Sequence, residues 1–94
     1  MNEIQEIARL LAGTDDEKTI ERFIKEILTP TEIKEVSGRW ALVKLLEKGE
    51  SQRTIARKLG MSLCKITRGS RELKKKNSAL KKMIKKIQPP AEKS

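Results

Sequence analysis

The chain has 94 residues, 36% hydrophobic and 37% charged, with a formal net charge of +9. This length supports one small domain, read as residues 1–88, with a core modest enough that pairing with a second copy is the expected route to stability. With no His and a single Cys, a His base, a His metal ligand, a disulfide framework and a Cys-cluster zinc site are all excluded.

Other classes weaken on inspection. Neither of the common glycine-rich phosphate cradles occurs. No acid–base or nucleophile pair has a plausible placement, so an enzyme is not expected. No apolar run approaches the ~20 residues of a membrane span. The N-terminal stretch mixes Glu3, Glu6 and Arg9 with its apolar residues, unlike a secretory signal, and a cytoplasmic protein is expected. The charge is also unevenly spread. Residues 1–50 carry 8 Lys+Arg against 11 Asp+Glu, a net of −3, whereas residues 51–94 carry 14 against 2, a net of +12. Such asymmetry points to a polyanionic partner for the C-terminal half, either nucleic acid or an anionic membrane surface.

In chain order, Ile4, Ile7, Ala8 and Leu11 mark one face of a first helix that Gly13 ends. Thr14, with Glu17 three residues on, has the spacing of a capping box for a second helix, whose stripe is Ile20, Phe23, Ile24, Ile27 and Leu28. Thr29, Pro30 and Glu32 open a third helix in the same way. It is expected to run to Lys48 with Ile33, Val36, Trp40, Val43 and Leu46 on its apolar face, and Gly49 stops it. Trp40 reads as a core residue. Ser51 caps a short fourth helix ending near Leu59, Gly60 follows as a left-handed turn residue, and a fifth helix covers roughly Ser62–Arg71. After a lysine-rich connection, a last helix is expected near Ser78–Ile87. Pro89 and Pro90 stop it, and residues 89–94 form a disordered tail. Leu73, Leu80 and Ile87 are seven apart, but two heptads are too few for a coiled coil, so they read as one packed face of the last helix. The lysines at 81, 82, 85 and 86 read as a solvated face. No segment alternates with period two, so an all-α fold of about six helices is expected.

Residues 52–66 have the features of a helix-turn-helix. Two short helices that cross steeply need a small side chain at the crossing, supplied by Ala56, and a turn residue tolerant of positive φ, supplied by Gly60. Ile55, Leu59, Met61 and Ile66 are spaced to fill the wedge between them, and the outward positions are polar or basic. An ordinary helical hairpin with a basic face is the plainer alternative.

Here the residues carry a resemblance. Leu28-Thr29-Pro30-x-Glu32, Gly38-Arg39, Leu45-Leu46-x-x-Gly49-Glu50-Ser51-Gln52-Arg53, Leu59-Gly60 and Ile66-Thr67-Arg68-Gly69-Ser70-x-x-Leu73-Lys74 resemble the bacterial tryptophan repressor family over about residues 26–74. The Ile-Thr-Arg-Gly-Ser string directly after the helix-turn-helix is the most specific part. The N-terminal helices match in length and pattern only.

The resemblance implies an intertwined homodimer with L-tryptophan as corepressor and a palindromic DNA operator. Tryptophan would order two helix-turn-helix heads about one helical turn (~34 Å) apart, a docking for which this family is an established example. It assigns Arg39 and Arg68 to the two faces of the indole, chemistry that suits guanidinium groups. Gly69 would leave room beside the ring. Leu28 and Thr29 would form a wall from the partner subunit, where the carbonyl end of the second helix suits an ammonium group.

Glu72 stands where the enteric-type pattern has a serine near that ammonium, so Glu72 either pairs with it or points to solvent. One residue of the family pattern is missing between Glu50 and Ser51, and Ala56 replaces a family lysine, with Arg57 adjacent. For DNA, the resemblance implicates Gln52, Arg53, Lys65, Thr67 and Arg68. Leu63 and Cys64 sit where an apolar contact to a thymine methyl is feasible, and Lys74 with its two lysine neighbours is placed to reach phosphates. Cys64 has no second thiol in the chain, so it reads as an ordinary helix residue.

The function expected is a tryptophan-dependent repressor of tryptophan biosynthesis or salvage genes. The rivals are a DNA-binding subunit of a transposition system, a similar regulator with a different ligand, and a basic protein that coats nucleic acid or membrane without sequence preference.

Overall fold

The computed structural model describes residues 2–87, so the tail expected at residues 89–94 lies outside the described residues. Among the described residues there are six helices and no strand: α1 (Glu3–Ala12), α2 (Glu17–Ile27), α3 (Pro30–Glu47), α4 (Gln52–Leu59), α5 (Leu63–Lys74) and α6 (Ala79–Ile87). They divide into two compact units, one ending at Glu35 and the other beginning at Val36.

In the first unit, α1 opens on a capping box that the apolar pattern does not reveal. The Asn2 side chain accepts from the Gln5 N–H at 2.8 Å, and the Gln5 side chain accepts from the Asn2 N–H at 3.0 Å. The expected cap of α2 is corrected. Thr14 instead donates its hydroxyl to the Leu10 carbonyl at 2.8 Å, closing the end of α1, and Asp16 caps α2. A carboxylate at a helix N-terminus accepts the orphan Lys18 N–H and meets the favourable end of the dipole. The Thr19 hydroxyl donates to Asp16 Oδ2 at 2.6 Å; this bond first, then the Lys18 N–H, holds the Asp16 carboxyl below its ordinary value. The third helix opens as expected, with Thr29 and Glu32 exchanging hydrogen bonds at 2.8 and 3.1 Å.

Neither α1 nor α2 contains a buried residue. Their stripes line an apolar groove of about 230 Å³ beside Leu10, Leu11, Phe23 and Ile27. Ile4 is 73% exposed, Leu10 66% and Ile27 54%. Side chains of this kind contribute about 1.5–3 kcal/mol each when removed from water, and here most of that is unrealised.

The second unit holds two small cores on either side of α3. Leu42 joins Ile55 and Ile66, with Leu45, Leu46, Ala56, Leu59 and Met61 packed around them. Val43 joins Leu73 and Ile84, with Trp40, Leu46 and Leu80 around them. Adjacent helical residues point about 100° apart, so Leu42 and Val43 serve different neighbours. Trp40 is thus half-buried core, as its position in the stripe implied.

The heptad reading needs correction. Leu73 lies on α5, not on the last helix, and Ile87 is 52% exposed, so the three do not form one packed face. The α5–α6 connection explains the difference: Asn77 adopts φ 59° and redirects the chain before α6 begins. The lysine face is corrected at one position, because Lys81 is half-buried and pairs with Glu47 at 3.1 Å. Lys82, Lys85 and Lys86 are exposed.

Candidate nucleic-acid and ligand interface

The α4-turn-α5 unit is built as its sequence demands. Ser51 caps α4 through the Thr54 N–H at 3.1 Å, and Ser62 caps α5 through the Lys65 N–H at 3.3 Å. Gly60 lies at φ 63°, ψ 34°, the left-handed region that a side chain penalises, and the chain turns there from one helix to the next. Ile55 and Ile66 are fully buried in the wedge, with Leu59, Met61 and Ala56 packed beside them. Gly38 on α3 admits Met61 closely, since a Cβ there would lie 3.1 Å from the Met61 Cε.

On the outer surface, basic residues sort into paired and free. Lys58 is held by Glu50, with contacts of 3.0 and 3.1 Å to the two carboxylate oxygens. Lys75 is held by Glu72 at 3.0 Å and Lys81 by Glu47 at 3.1 Å. Among the described residues, Arg53, Arg57, Lys65, Arg68 and Lys74 are exposed without an ion-pair partner. Arg53 and Arg57 are four apart and share one face of α4. Leu63, 54% exposed, and the exposed Cys64 are the first two residues of α5. Gln52, the first residue of α4, and Thr67, on α5, are brought together: the Thr67 hydroxyl donates to Gln52 Oε1 at 3.1 Å. The family resemblance gave both residues but not their bond, because contacts fifteen residues apart have no local signature.

The proposed ligand residues fall into separate groups. Arg39 is exposed on α3, one turn before Leu42 and on the same side of the helix. Arg68 precedes Gly69, which is buried against α3, and neither guanidinium is ion-paired among the described residues. A Cβ on Gly69 would lie 3.0 Å from Leu42 Cδ2 and 3.5 Å from Leu46 Cδ1. The missing side chain therefore lets α5 approach α3, and Leu42 is a partner that the sequence reading missed. Glu72 is half-buried and turned to Lys75. Leu28 and Thr29 belong to the other unit, at the carbonyl end of α2 and the cap of α3. Among the described residues no group of carboxylates and thiol could hold a metal ion, and no helix is long and apolar enough to cross a membrane.

Comparison with known proteins accounts for this combination. A family model described as Trp repressor protein matches residues 2–88, well beyond the segment that carries the motif resemblance. A Trp operon repressor homolog of Vibrio parahaemolyticus is 38% identical over 82 residues, covering 86% of this chain and 80% of the relative. The homolog of Vibrio campbellii is 37% identical over 82 residues, covering 86% and 82%. That of Chlamydia trachomatis is 34% identical over 83 residues, covering 87% and 88%. No solved structure matches significantly. With a helix-turn-helix on an all-helical scaffold and matches spanning nearly its whole length, the chain belongs to the Trp repressor family.

Proposed function

We propose that the protein is a homodimeric, cytoplasmic repressor whose affinity for a DNA operator depends on L-tryptophan. The observation that carries this reading is the set of unpaired basic residues on the helix-turn-helix, with Arg39 and Arg68 on the two helices that meet at Gly69. Lys58, Lys75 and Lys81 are instead neutralised by Glu50, Glu72 and Glu47. The cations left free on α4 and α5 suit a phosphate backbone, and each phosphate neutralised contributes about −0.9 to the log–log salt slope.

Tryptophan is the ligand the family suggests, and the residues suit it. Two guanidinium groups offer faces to an indole and donors to a carboxylate. The carbonyl end of α2, at Leu28 and Thr29, supplied by the partner subunit, suits the ammonium. Dimerisation would remove the exposed α1 and α2 side chains from water and present two α5 helices to successive major grooves. Leu63 and Cys64 would meet base edges, Lys65 and Lys74 phosphates. Tryptophan binding more tightly to the DNA-competent arrangement would shift the population toward it. The genes controlled are those for tryptophan synthesis or salvage.

The test is selection of duplexes from a random-sequence pool with and without L-tryptophan. A palindromic site enriched only with tryptophan is the expected result. Equal enrichment in both arms overturns the corepressor reading, and no enrichment in either overturns operator recognition.

A further inference from the structure

We propose that Thr67 is a positioning residue for DNA binding: its hydroxyl fixes the Gln52 amide so that the NH₂ group is offered to a phosphate oxygen. The inference rests on the DNA-binding reading above and assigns the two residues different tasks. Thr67 spends its one hydroxyl proton on Gln52 Oε1, at 3.1 Å, so it has no donor left for a phosphate. Gln52 uses one lone pair of its oxygen in that bond, which orients the amide, and its two amide N–H groups supply the donors that a phosphate requires.

The setting is rigid. Gln52 lies one helical turn from Ile55, and Thr67 is adjacent to Ile66. Ile55 and Ile66 are both fully buried in the same core, so the hydrogen bond closes the outer rim of the wedge. Gln52 is also the first residue of α4. Ser51 takes the Thr54 N–H, and the N–H groups of Gln52 and Arg53, near the start of the helix, point the same way as the dipole. The fixed amide therefore extends a donor surface that the backbone and the exposed Arg53 begin. A free glutamine would pay rotamer entropy to hold its NH₂ group against the phosphate.

The experiment measures binding of a labelled mixed-sequence duplex and of any selected duplex at saturating L-tryptophan, as a function of salt. Proteins compared are the wild type, Thr67→Val, Thr67→Ser, Gln52→Ala and the double variant Gln52→Ala/Thr67→Val. Gln52→Ala removes a hydrogen bond to a charged group and should weaken binding by about 10-fold or more per protomer, whereas Thr67→Val removes only the neutral positioning bond and should weaken it by about 2-fold to 10-fold. Thr67→Ser should restore it. Because no charge is removed, the salt slope should stay unchanged, whereas Arg53→Ala, which removes one cation from each protomer of a bound dimer, should reduce its magnitude by about 2. The double variant should bind no more weakly than Gln52→Ala alone.

Additive losses in the double variant would mean that Thr67 touches DNA on its own and would overturn the proposal. So would wild-type affinity in Thr67→Val with its unfolding midpoint retained. Wild-type protein that binds neither duplex overturns the DNA reading itself, and the proposal with it.

Discussion

Gly69 and Leu42 are in contact across the α3–α5 interface so closely that a methyl group on residue 69 would lie 3.0 Å from Leu42 Cδ2. Leu42 is 1% exposed and packed against Ile55 and Ile66, so it has little room to yield. Two effects of Gly69→Ala oppose each other. Alanine gains about 1 kcal/mol of helix propensity, and overpacking a filled core costs about 1–3 kcal/mol. The variant should be destabilised by about 1 kcal/mol in urea unfolding. In a Leu42→Ala background the clash is gone and the same substitution should stabilise. A stabilising effect in the native background would mean that α5 does not sit against α3 as described.

Arg39 is exposed and unpaired, so its removal should leave the unfolding midpoint unchanged. Arg39→Ala should nevertheless weaken L-tryptophan binding by about 10-fold or more, from the ~1.5–3 kcal/mol typical of hydrogen bonds to charged groups. Glu72→Ala is the contrasting case. With its carboxylate turned to Lys75, tryptophan affinity should be unaltered in calorimetry, and a marked change would return Glu72 to the ligand site.

The helix-turn-helix was legible in the sequence because its demands are local. Ser51, Ala56, Gly60 and Ser62 each satisfy a backbone or steric requirement within a few residues. The capping box at Thr29 and Glu32 was legible for the same reason. Where two candidates competed, spacing misled. Thr14 and Glu17 have capping-box spacing, but Asp16 caps the helix because its carboxylate reaches both the Lys18 N–H and the Thr19 hydroxyl. The heptad of Leu73, Leu80 and Ile87 misled because Asn77 breaks the helix between the first two. For the candidate site, residue types were readable but pairings were not. Gln52 with Thr67, Glu47 with Lys81 and Gly69 with Leu42 join positions that only the tertiary fold brings together.

The Asp16 carboxyl, held below its ordinary value by Thr19 and then Lys18, ties α2 to pH. A folded-state value below the unfolded one means that its stabilisation is present above the unfolded value and is lost as pH falls through the folded one. Asp16→Ala should therefore be less helical than the wild type near neutral pH, and the gap should close on acidification. Circular dichroism at the two pH values checks this; a gap that persists in acid would remove the carboxylate as its cause.

The exposed face of α1 and α2 gives a test of the proposed homodimer. Leu10 is 66% exposed in the single chain, so in a monomer Leu10→Glu should change stability by no more than about 0.5 kcal/mol. In a dimer that covers this face, the same substitution should shift sedimentation toward a single chain and lower the thermal midpoint. Wild-type protein that sediments as one chain would contradict the homodimer.

The central claim is that L-tryptophan is the signal this protein reads, and calorimetric titration of the intact protein with L-tryptophan and with other amino acids tests it most directly. Heat rather than fluorescence avoids the signal of Trp40. The account predicts saturable binding near one tryptophan per chain, selective over phenylalanine and weakened by about 10-fold or more in Arg39→Ala. Absence of binding to folded protein, or equal binding of phenylalanine, would contradict it and leave a DNA-binding scaffold that answers to another ligand.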